Sequence, residues 1–206
     1  MLLLVQYTLI FASVLVLVAL GGCFSEHSGV INIGLEGIMV IGALGGALMM
    51  KYLPAGLPAI VVILLVVLAS VLLGMLFSLF LGVAAIKFNA DQTLIGTAMN
   101  LLGPAIAVVL VRAINTAKSV DNVSSTISYR EAKQAFLVNI GKFEFNWFML
   151  IAVLALIASV IVLYKTKFGL RLCACGEHPQ AADSVGINVY KMRYAGVLIS
   201  AVGMIA

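Results

Sequence analysis

The stretch at residues 57–86 reads LPAIVVILLVVLASVLLGMLFSLFLGVAAI and contains no charged side chain. A helix needs about 20 mainly apolar residues to cross the roughly 30 Å hydrocarbon core of a bilayer. As one helix this stretch would extend for about 45 Å, so we expect it to tilt, bend or leave the bilayer. It predicts a membrane protein.

The composition of the whole chain agrees with this prediction. Of its 206 residues, 64% are hydrophobic and only 10% are charged. A soluble domain carries roughly 25% charged residues because water must solvate its surface. The net charge of +4 is small and forms no block of like charges, so it does not indicate nucleic-acid binding. Lipid is therefore the expected solvent.

Apolar stretches of similar length predict an all-α, polytopic transmembrane bundle with five full spans and part of a sixth. The expected spans are residues 2–20, 28–50, 57–86, 92–111, 147–164 and 194–206. Pro104 should kink the fourth span or end its regular hydrogen bonding. Two polar connections remain, 112–145 and 165–193. Lys and Arg divide equally between the two sides, so the charge bias does not decide the orientation.

Polar side chains recur inside two of the predicted spans. Ser28, Asn32 and Glu36 have the i, i+4, i+8 spacing of one helix face. Such residues can line a translocation path, but a glutamate can also cap or pair within the bundle. A similar group opens the fourth span, where Ser and Thr can simply bond to their own helix. The candidates for the path are Asn32, Glu36, Asp91, Thr93, Thr97 and Asn100.

Sites for other chemistry are not apparent from the sequence. Cys173, Cys175 and His178 lack a fourth ligand, so we expect no metal site, and the thiols are expected to be reduced. No Gly-rich phosphate loop ending in Gly-Lys-Ser/Thr occurs. We therefore expect no cofactor on this chain, and any ATP must be bound by another subunit.

The connection at 165–193 is predicted to contain a short helix between two turns. Glu177 or His178 with Pro179 opens it, residues 180–185 form it, and Gly186 closes it. A short amphiphilic helix between two spans is well placed to dock on a partner protein. A plain connecting loop is the alternative.

The connection resembles the coupling-helix region of bacterial ATP-binding-cassette (ABC) importer permeases for branched-chain amino acids, simple sugars and nucleosides. The matching words are FGLR at 168–171, GEHPQAA at 176–182 and VGIN at 185–188. Others are SGVINIGLEG at 28–37, ADQT at 90–93 and GTAMN at 96–100. The words NIGLEG and ADQT are similar to the nucleoside-type permeases in particular.

The resemblance implies a single permease domain, residues 1–206, of the type II importer kind. It implies that 165–193 is a cytoplasmic coupling loop and that 112–145 is an external loop. The implied partners are a cytoplasmic ABC ATPase that uses ATP, a second permease, an extracytoplasmic substrate-binding lipoprotein and the lipid of the bacterial cytoplasmic membrane. The residues it assigns to ATPase coupling are Gly169, Arg171, Gly176, Glu177, Pro179, Ala181, Ala182 and Gly186.

The sequence departs from the family pattern in two ways. Cys173 stands where such permeases commonly carry a basic residue. Family members also continue for several more spans, so we expect the domain to be incomplete after Ala206.

Three functions are therefore compared. The first is the permease of an ABC importer for nucleosides or related simple sugars. The second is an ion-coupled secondary transporter that uses Glu36 as its coupling carboxylate. The third is a membrane enzyme, for which the sequence offers only isolated polar residues.

Overall fold

The computed structural model describes residues 2–54, 57–118, 124, 126–127, 137–140 and 143–202. Within these ranges the chain is almost entirely helical. The helices are α1 (Leu2–His27), α2 (Leu35–Tyr52), α3 (Ala59–Gly82), α4 (Gln92–Lys118), α5 (Trp147–Lys165), α6 (Lys167–Glu177), α7 (Pro179–Ser184) and α8 (Val189–Val202), and a π-helical turn (Val83–Lys87) continues α3.

The helical membrane fold predicted from the sequence is confirmed. Four helices, α1 to α4, are long and apolar enough to cross a membrane in the described part of the chain. The α5–α6 pair is a possible fifth span, bent by 71° where the two helices meet. The chain is thus a multi-pass membrane protein.

The predicted second span is wrong over its first third. Helix α1 continues to His27, residues 28–34 are not helical, and α2 begins only at Leu35. Gly29 has a φ of 81°, a conformation that ends a helix and that glycine adopts without strain. The hydroxyl of Ser25 donates to the carbonyl of Val30 at 2.7 Å, so a side chain bonds the backbone in place of a helical partner.

The fourth span is longer than predicted. Helix α4 runs through Pro104 without a break and extends to Lys118, so the polar connection does not begin at residue 112. Later in that connection two strands, β1 (Leu137–Ile140) and β2 (Phe143–Asn146), form an antiparallel hairpin that the sequence did not predict. Most of the remaining connection lies outside the described residues.

The connection at 165–193 contains two helices rather than one. The predicted short helix is present as α7, and Gly186 follows it with a φ of 84°. Helix α6 was missed. It begins because the hydroxyl of Thr166 accepts a hydrogen bond from the backbone N–H of Gly169, as an N-cap residue does. Helix α8 starts at Val189, earlier than the predicted residue 194.

Hydrogen bonds and close contacts identify the two ends of the bundle. At one end, which we call the break end, residue Ile31 bonds to Gln92 and Gly29 lies against Gly176. At the other end, Lys51 donates to Asn115, 3.2 Å away. Between the ends, the fully buried Ile38, Leu81 and Val197 belong to one apolar cluster that joins α2, α3 and α8.

Glycines bring α2 and α4 into backbone contact. A methyl group on Gly103 would lie 2.7 Å from the carbonyl oxygen of Gly37, and one on Gly96 would lie 2.9 Å from the backbone nitrogen of Gly34. Helices in lipid associate largely through such close packing, because lipid chains are as apolar as the side chains.

We expect Gly103→Ala to destabilise the fold by about 1–3 kcal/mol, because the added methyl group meets backbone that cannot move aside. Gly74→Ala is the matched control, since its methyl group would lie 3.6 Å from the nearest atom, the carbonyl oxygen of Ala201. Thermal unfolding of the two variants in detergent checks this expectation. Equal midpoints would contradict the close α2–α4 contact.

Candidate functional site

The non-helical segment 28–34 packs along α8, with Ser28, Val30 and Asn32 buried against the bundle and Ile31 and Ile33 exposed. Ser28 is in contact with the Cα side of Gly196, and Asn32 reaches Ser200, which is about 16 Å along α8 from its first residue. Irregular backbone at membrane depth is tolerated where protein surrounds it, and it commonly lines a cavity or binding path. This segment is therefore the centre of the candidate site.

Side chains from neighbouring elements bond to the backbone of the segment. The amide oxygen of Gln92 accepts from the N–H of Ile31 at 2.7 Å. At the start of the segment, backbone groups also bond to each other: the N–H groups of Ser28 and Gly29 donate to the carbonyls of Ser25 and Glu26, in the last turn of α1, at 3.0 and 2.9 Å. Each bond replaces one that a continuous helix would have made.

Asn100 of α4 bonds to the end of the segment and to the start of α2. Its Oδ1 accepts from the N–H of Gly37 at 2.8 Å, and its Nδ2 donates to the carbonyl of Ile33 at 2.9 Å. The first N–H groups of a helix have no partner within the helix, so Asn100 supplies one from another element. Its role in this chain is to join α2 to α4.

Asn32 is buried where the segment meets α8. Its Nδ2 donates to the hydroxyl of Ser200 at 2.9 Å, whereas its Oδ1 has no hydrogen-bond partner among the described residues. Because the side chain is only 5% exposed, that oxygen is a buried acceptor inside the bundle. An unpaired buried acceptor is costly, which makes Asn32 a position that a bound polar group would stabilise.

The predicted face that combines Ser28, Asn32 and Glu36 does not exist. Ser28 and Asn32 lie in the non-helical segment, and only Glu36 is in α2. The Glu36 side chain is exposed and makes no hydrogen bond to any described residue. Asn100 bonds to the backbone N–H of Gly37, the residue after Glu36, so Asn100 is the α4 candidate that this hydrogen bond brings next to Glu36.

The remaining path candidates divide into a cap and two exposed hydroxyls. Asp91 accepts from the N–H groups of Thr93 and Leu94 at 2.8 and 3.3 Å, so it caps α4. Thr93 and Thr97 are exposed, and the hydroxyl of Thr97 donates to the carbonyl of Thr93 at 2.7 Å. Thr97 thus bonds to its own helix, which is the alternative to lining a path that the sequence analysis left open for Ser and Thr.

Helix α6 is anchored to the bundle by one apolar face. Gly169, Leu172 and Cys175 are buried at helical spacing. Gly169 lies directly against the carbonyls of Val162 and Leu163, which allows the sharp bend after α5. Gly176 approaches the backbone of His27 and Gly29, where a methyl group would lie 2.5 Å from the carbonyl oxygen of His27.

The predicted coupling residues divide between packing and exposed positions. Gly169 and Ala182 are buried, and Gly176 and Pro179 are half-buried, so these four serve the packing of α6 and α7. The exposed members are Arg171, Glu177, Ala181 and Gly186. The sequence reasoning missed two exposed apolar side chains beside them, Val185 at 80% and Leu170 at 73% exposure.

A metal site is not formed by the described residues. No group of three or more His, Cys, Asp or Glu side chains is arranged there to hold an ion. The three cysteines are free thiols.

Comparison with known proteins identifies the family. The chain belongs to the family described as branched-chain amino acid transport system / permease component, which matches residues 4–205. It is 43% identical over 202 residues to the guanosine ABC transporter permease protein NupQ of Bacillus subtilis, covering 95% of this chain and 62% of that protein. It is 39% identical over 200 residues to the nucleoside ABC transporter permease protein NupC of Lactococcus lactis, covering 94% of this chain and 62% of that protein.

A more distant relative is a putative glucose ABC transporter permease protein of Haloferax volcanii. It is 28% identical over 198 residues, which cover 91% of this chain and 56% of that protein. The resemblance seen in the sequence is confirmed, and these relatives are transport components rather than enzymes. The chain spans about three fifths of the length of its two nearer relatives described here. No solved structure matches it significantly.

We expect Asn100→Ala to destabilise the fold by about 2–4 kcal/mol, because it leaves one backbone N–H and one carbonyl without a partner. Asn100→Asp keeps the acceptor for Gly37 and should lie between Asn100→Ala and the wild type. Thr97→Ala, which removes only a bond within α4, is the control. Unfolding midpoints in detergent measure all three, and an Asn100→Ala midpoint equal to that of Thr97→Ala would disprove the joining role.

Proposed function

We propose that this chain is the permease subunit of an ABC importer that moves nucleosides across the bacterial cytoplasmic membrane. The observation that carries the proposal is the α6–α7 connection, which presents exposed side chains at the break end of a membrane bundle. The described helices provide a membrane pathway element, and the energy comes from a separate ATPase that binds and hydrolyses ATP. The chain itself would need no cofactor.

The α7 end of that connection has the character of a docking surface. Val185 is 80% exposed although it is aliphatic, and Tyr190 is 67% exposed at the start of α8. Aliphatic and aromatic side chains exposed outside the lipid are typical of a surface that a partner protein covers. Arg171 and Lys191 are exposed beside them and supply positive charge. A cytoplasmic ABC ATPase with an acidic and apolar groove would fit this surface.

The break end is then cytoplasmic, and the connection between α4 and α5, predicted as 112–145, is external. In the same orientation residues 165–193 form the cytoplasmic coupling loop of a single permease domain, residues 1–206. An extracytoplasmic binding lipoprotein would deliver substrate to the external end.

The exposed outer face of α4 suits a second permease. Leu94 and Leu101 are 73% and 74% exposed there, and Thr93 and Thr97 are exposed between or beside them. If the α4 faces of two permeases lay opposite each other, they would enclose a path. Its wall would be apolar except for the hydroxyl groups of Thr93 and Thr97. The Oδ1 atom of Asn32, which has no hydrogen-bond partner among the described residues, belongs to the bundle interior rather than to this path.

Nucleosides are the preferred substrate because the two nearer relatives are named for guanosine and for nucleosides. Nucleosides carry ribose hydroxyls and a planar base. Hydrogen-bonding groups in an apolar surface can recognise both parts. A related simple sugar shares only the hydroxyls. Uptake of labelled guanosine in the presence of excess ribose distinguishes the two classes: a nucleoside importer should keep its uptake, whereas a sugar importer should lose it.

A cysteine at residue 185 should crosslink to the ATPase, because that side chain projects from the bundle. The variant Val185→Cys is made after Cys23, Cys173 and Cys175 are replaced by alanine, and a short bifunctional maleimide is added to membranes that contain the complete importer. Ala182→Cys is the control, since Ala182 is only 5% exposed. We expect a permease–ATPase adduct with Val185→Cys and at least several-fold less with Ala182→Cys.

The adduct is analysed by mass spectrometry with and without ATP. Absence of an adduct at residue 185 in every nucleotide state would contradict the docking surface. An adduct of equal yield at residue 182 would show that the chain packs differently at α7.

A second candidate function, ion-coupled transport, is supported by the carboxylate of Glu36, which is exposed and has no partner among the residues that the structure describes. The ABC proposal predicts that uptake by the complete protein stops when cells are depleted of ATP with the proton gradient maintained. Glu36→Gln should leave that ATP dependence unchanged and add no dependence on the gradient. Uptake that persists without ATP and is lost in Glu36→Gln would instead establish ion coupling.

A further inference from the structure

A cavity of about 370 Å³ lies between α1, α3, α5 and α8. Helix α1 packs against α5 and α8, and α8 packs against α3, so α3 and α5 are the two walls above a floor of α1 and α8. The volume is within the roughly 300–1,000 Å³ of pockets that hold small molecules. Among the described residues that line the cavity, Ser159 of α5 is the only one with a polar side chain; the others are aliphatic residues, a glycine and Phe24.

The hydroxyl of Ser159 makes no hydrogen bond to any described residue, although its side chain is only 9% exposed. A serine inside a helix can donate to a carbonyl of the preceding turn, but Ser159 does not. The other buried serines of the described chain all have a partner. Ser13, Ser25, Ser28, Ser70 and Ser78 donate to backbone carbonyls, and Ser200 accepts from Asn32. Ser159 thus offers a free hydroxyl to the cavity.

The cavity lies at hydrocarbon depth. Along their helices, Val67 is about 12 Å from the start of α3, Ala158 about 16 Å from the start of α5 and Ile199 about 15 Å from the start of α8. These distances are near half of the roughly 30 Å hydrocarbon core. Because Ala158 is exposed as well as part of the lining, the cavity opens toward lipid rather than toward water.

The lining and the hydroxyl together define the chemistry of a ligand. No charged side chain is among the described lining residues, and a charge in apolar surroundings is costly, so the ligand is neutral. The apolar lining favours an apolar body. A hydroxyl both donates and accepts, so Ser159 can pair with a hydroxyl or a carbonyl oxygen. An alkane would leave that hydroxyl buried without a partner, which is unfavourable.

We propose that this cavity binds a neutral single-chain amphiphile, such as a fatty alcohol, that enters from the bilayer. Its chain lies between α3 and α5, and its oxygen is hydrogen-bonded to Ser159. The site does not depend on the transported substrate or on the source of energy, so it stands apart from the proposed function.

The cavity reaches the residues that support α6. Phe24 belongs to the same buried apolar cluster as Leu172 of α6. The carbonyl of Val162, another lining residue, lies directly against Gly169 of α6. A bound amphiphile therefore contacts the side chains on which α6 rests.

Binding is tested by photolabelling membranes that contain the complete protein. The probe is octanol that carries a photoreactive diazirine on its chain, and octane with the same diazirine is the matched probe without a hydroxyl. Labelled residues are mapped by mass spectrometry. We expect the octanol probe to label the cavity lining on α1 and α5, and excess unlabelled octanol to reduce that labelling several-fold while the bilayer stays intact. Labelling of Leu72 and Leu76, which are exposed on α3, should not be reduced.

Two variants test the hydroxyl and the space. Ser159→Ala should reduce octanol labelling of the lining several-fold and leave octane labelling unchanged, because only the hydroxyl is lost. Ser78→Ala is the matched control, since Ser78 is fully buried outside this cavity and donates to the carbonyl of Met75. Ala155→Phe places a ring in the cavity and should reduce labelling by both probes.

Three results would overturn the site. Labelling of the lining that excess octanol does not reduce would mean ordinary contact with lipid. A lining that is not labelled in the complete protein would mean that another segment of the protein fills the cavity. Equal octanol labelling in Ser159→Ala and Ser78→Ala would disprove recognition by the Ser159 hydroxyl.

Discussion

The structure depends on the hydrogen bonds made by the backbone of residues 28–34, a non-helical segment between α1 and α2 of a membrane protein. Lipid offers no donors or acceptors, so each exposed backbone group of residues 28–34 must find a partner in the protein. Gln92 and Asn100 of α4 supply two side-chain amides, and Ser25 supplies a hydroxyl. These bonds determine where α2 begins and fix α4 beside it. Much of the polar content of the spans is used in this way, before any question of transport arises.

Close glycine contacts follow from the same constraint. An amide side chain reaches the neighbouring backbone only if the two elements are very close. Gly37 and Gly103 allow that approach between α2 and α4, and Gly196 allows Ser28 to lie on α8. At the break end, Gly176 serves α6 in the same manner. The connection that we propose as the coupling loop is thus held against the non-helical segment, and motion of one would be transmitted to the other by direct backbone contact.

The sequence was most informative where one physical effect dominated. Most of the uncharged run at 57–86 is helical, in α3 and the π-helical turn after it, because a helix satisfies its own backbone hydrogen bonds in lipid. Helix α5 ended within one residue of its expected limit. Pro179 and Gly186 correctly bounded α7, because both have strong local backbone preferences. Helix α6 was missed although Thr166 is a typical N-cap and residues 169, 172 and 175 have helical spacing. Its glycines and cysteines gave a weak apolar signal.

What the sequence determined by itself is the class of protein, the approximate spans and the family. Apolar length and the matching words are local properties of the chain and require no knowledge of packing. The tertiary structure decided the roles of the polar residues. Ser28 and Asn32 are spaced like a helix face but lie in a broken segment, and Asn100 joins two helices. The reason is that a hydrogen-bond partner distant in sequence can stabilise a break that local helical periodicity does not reveal.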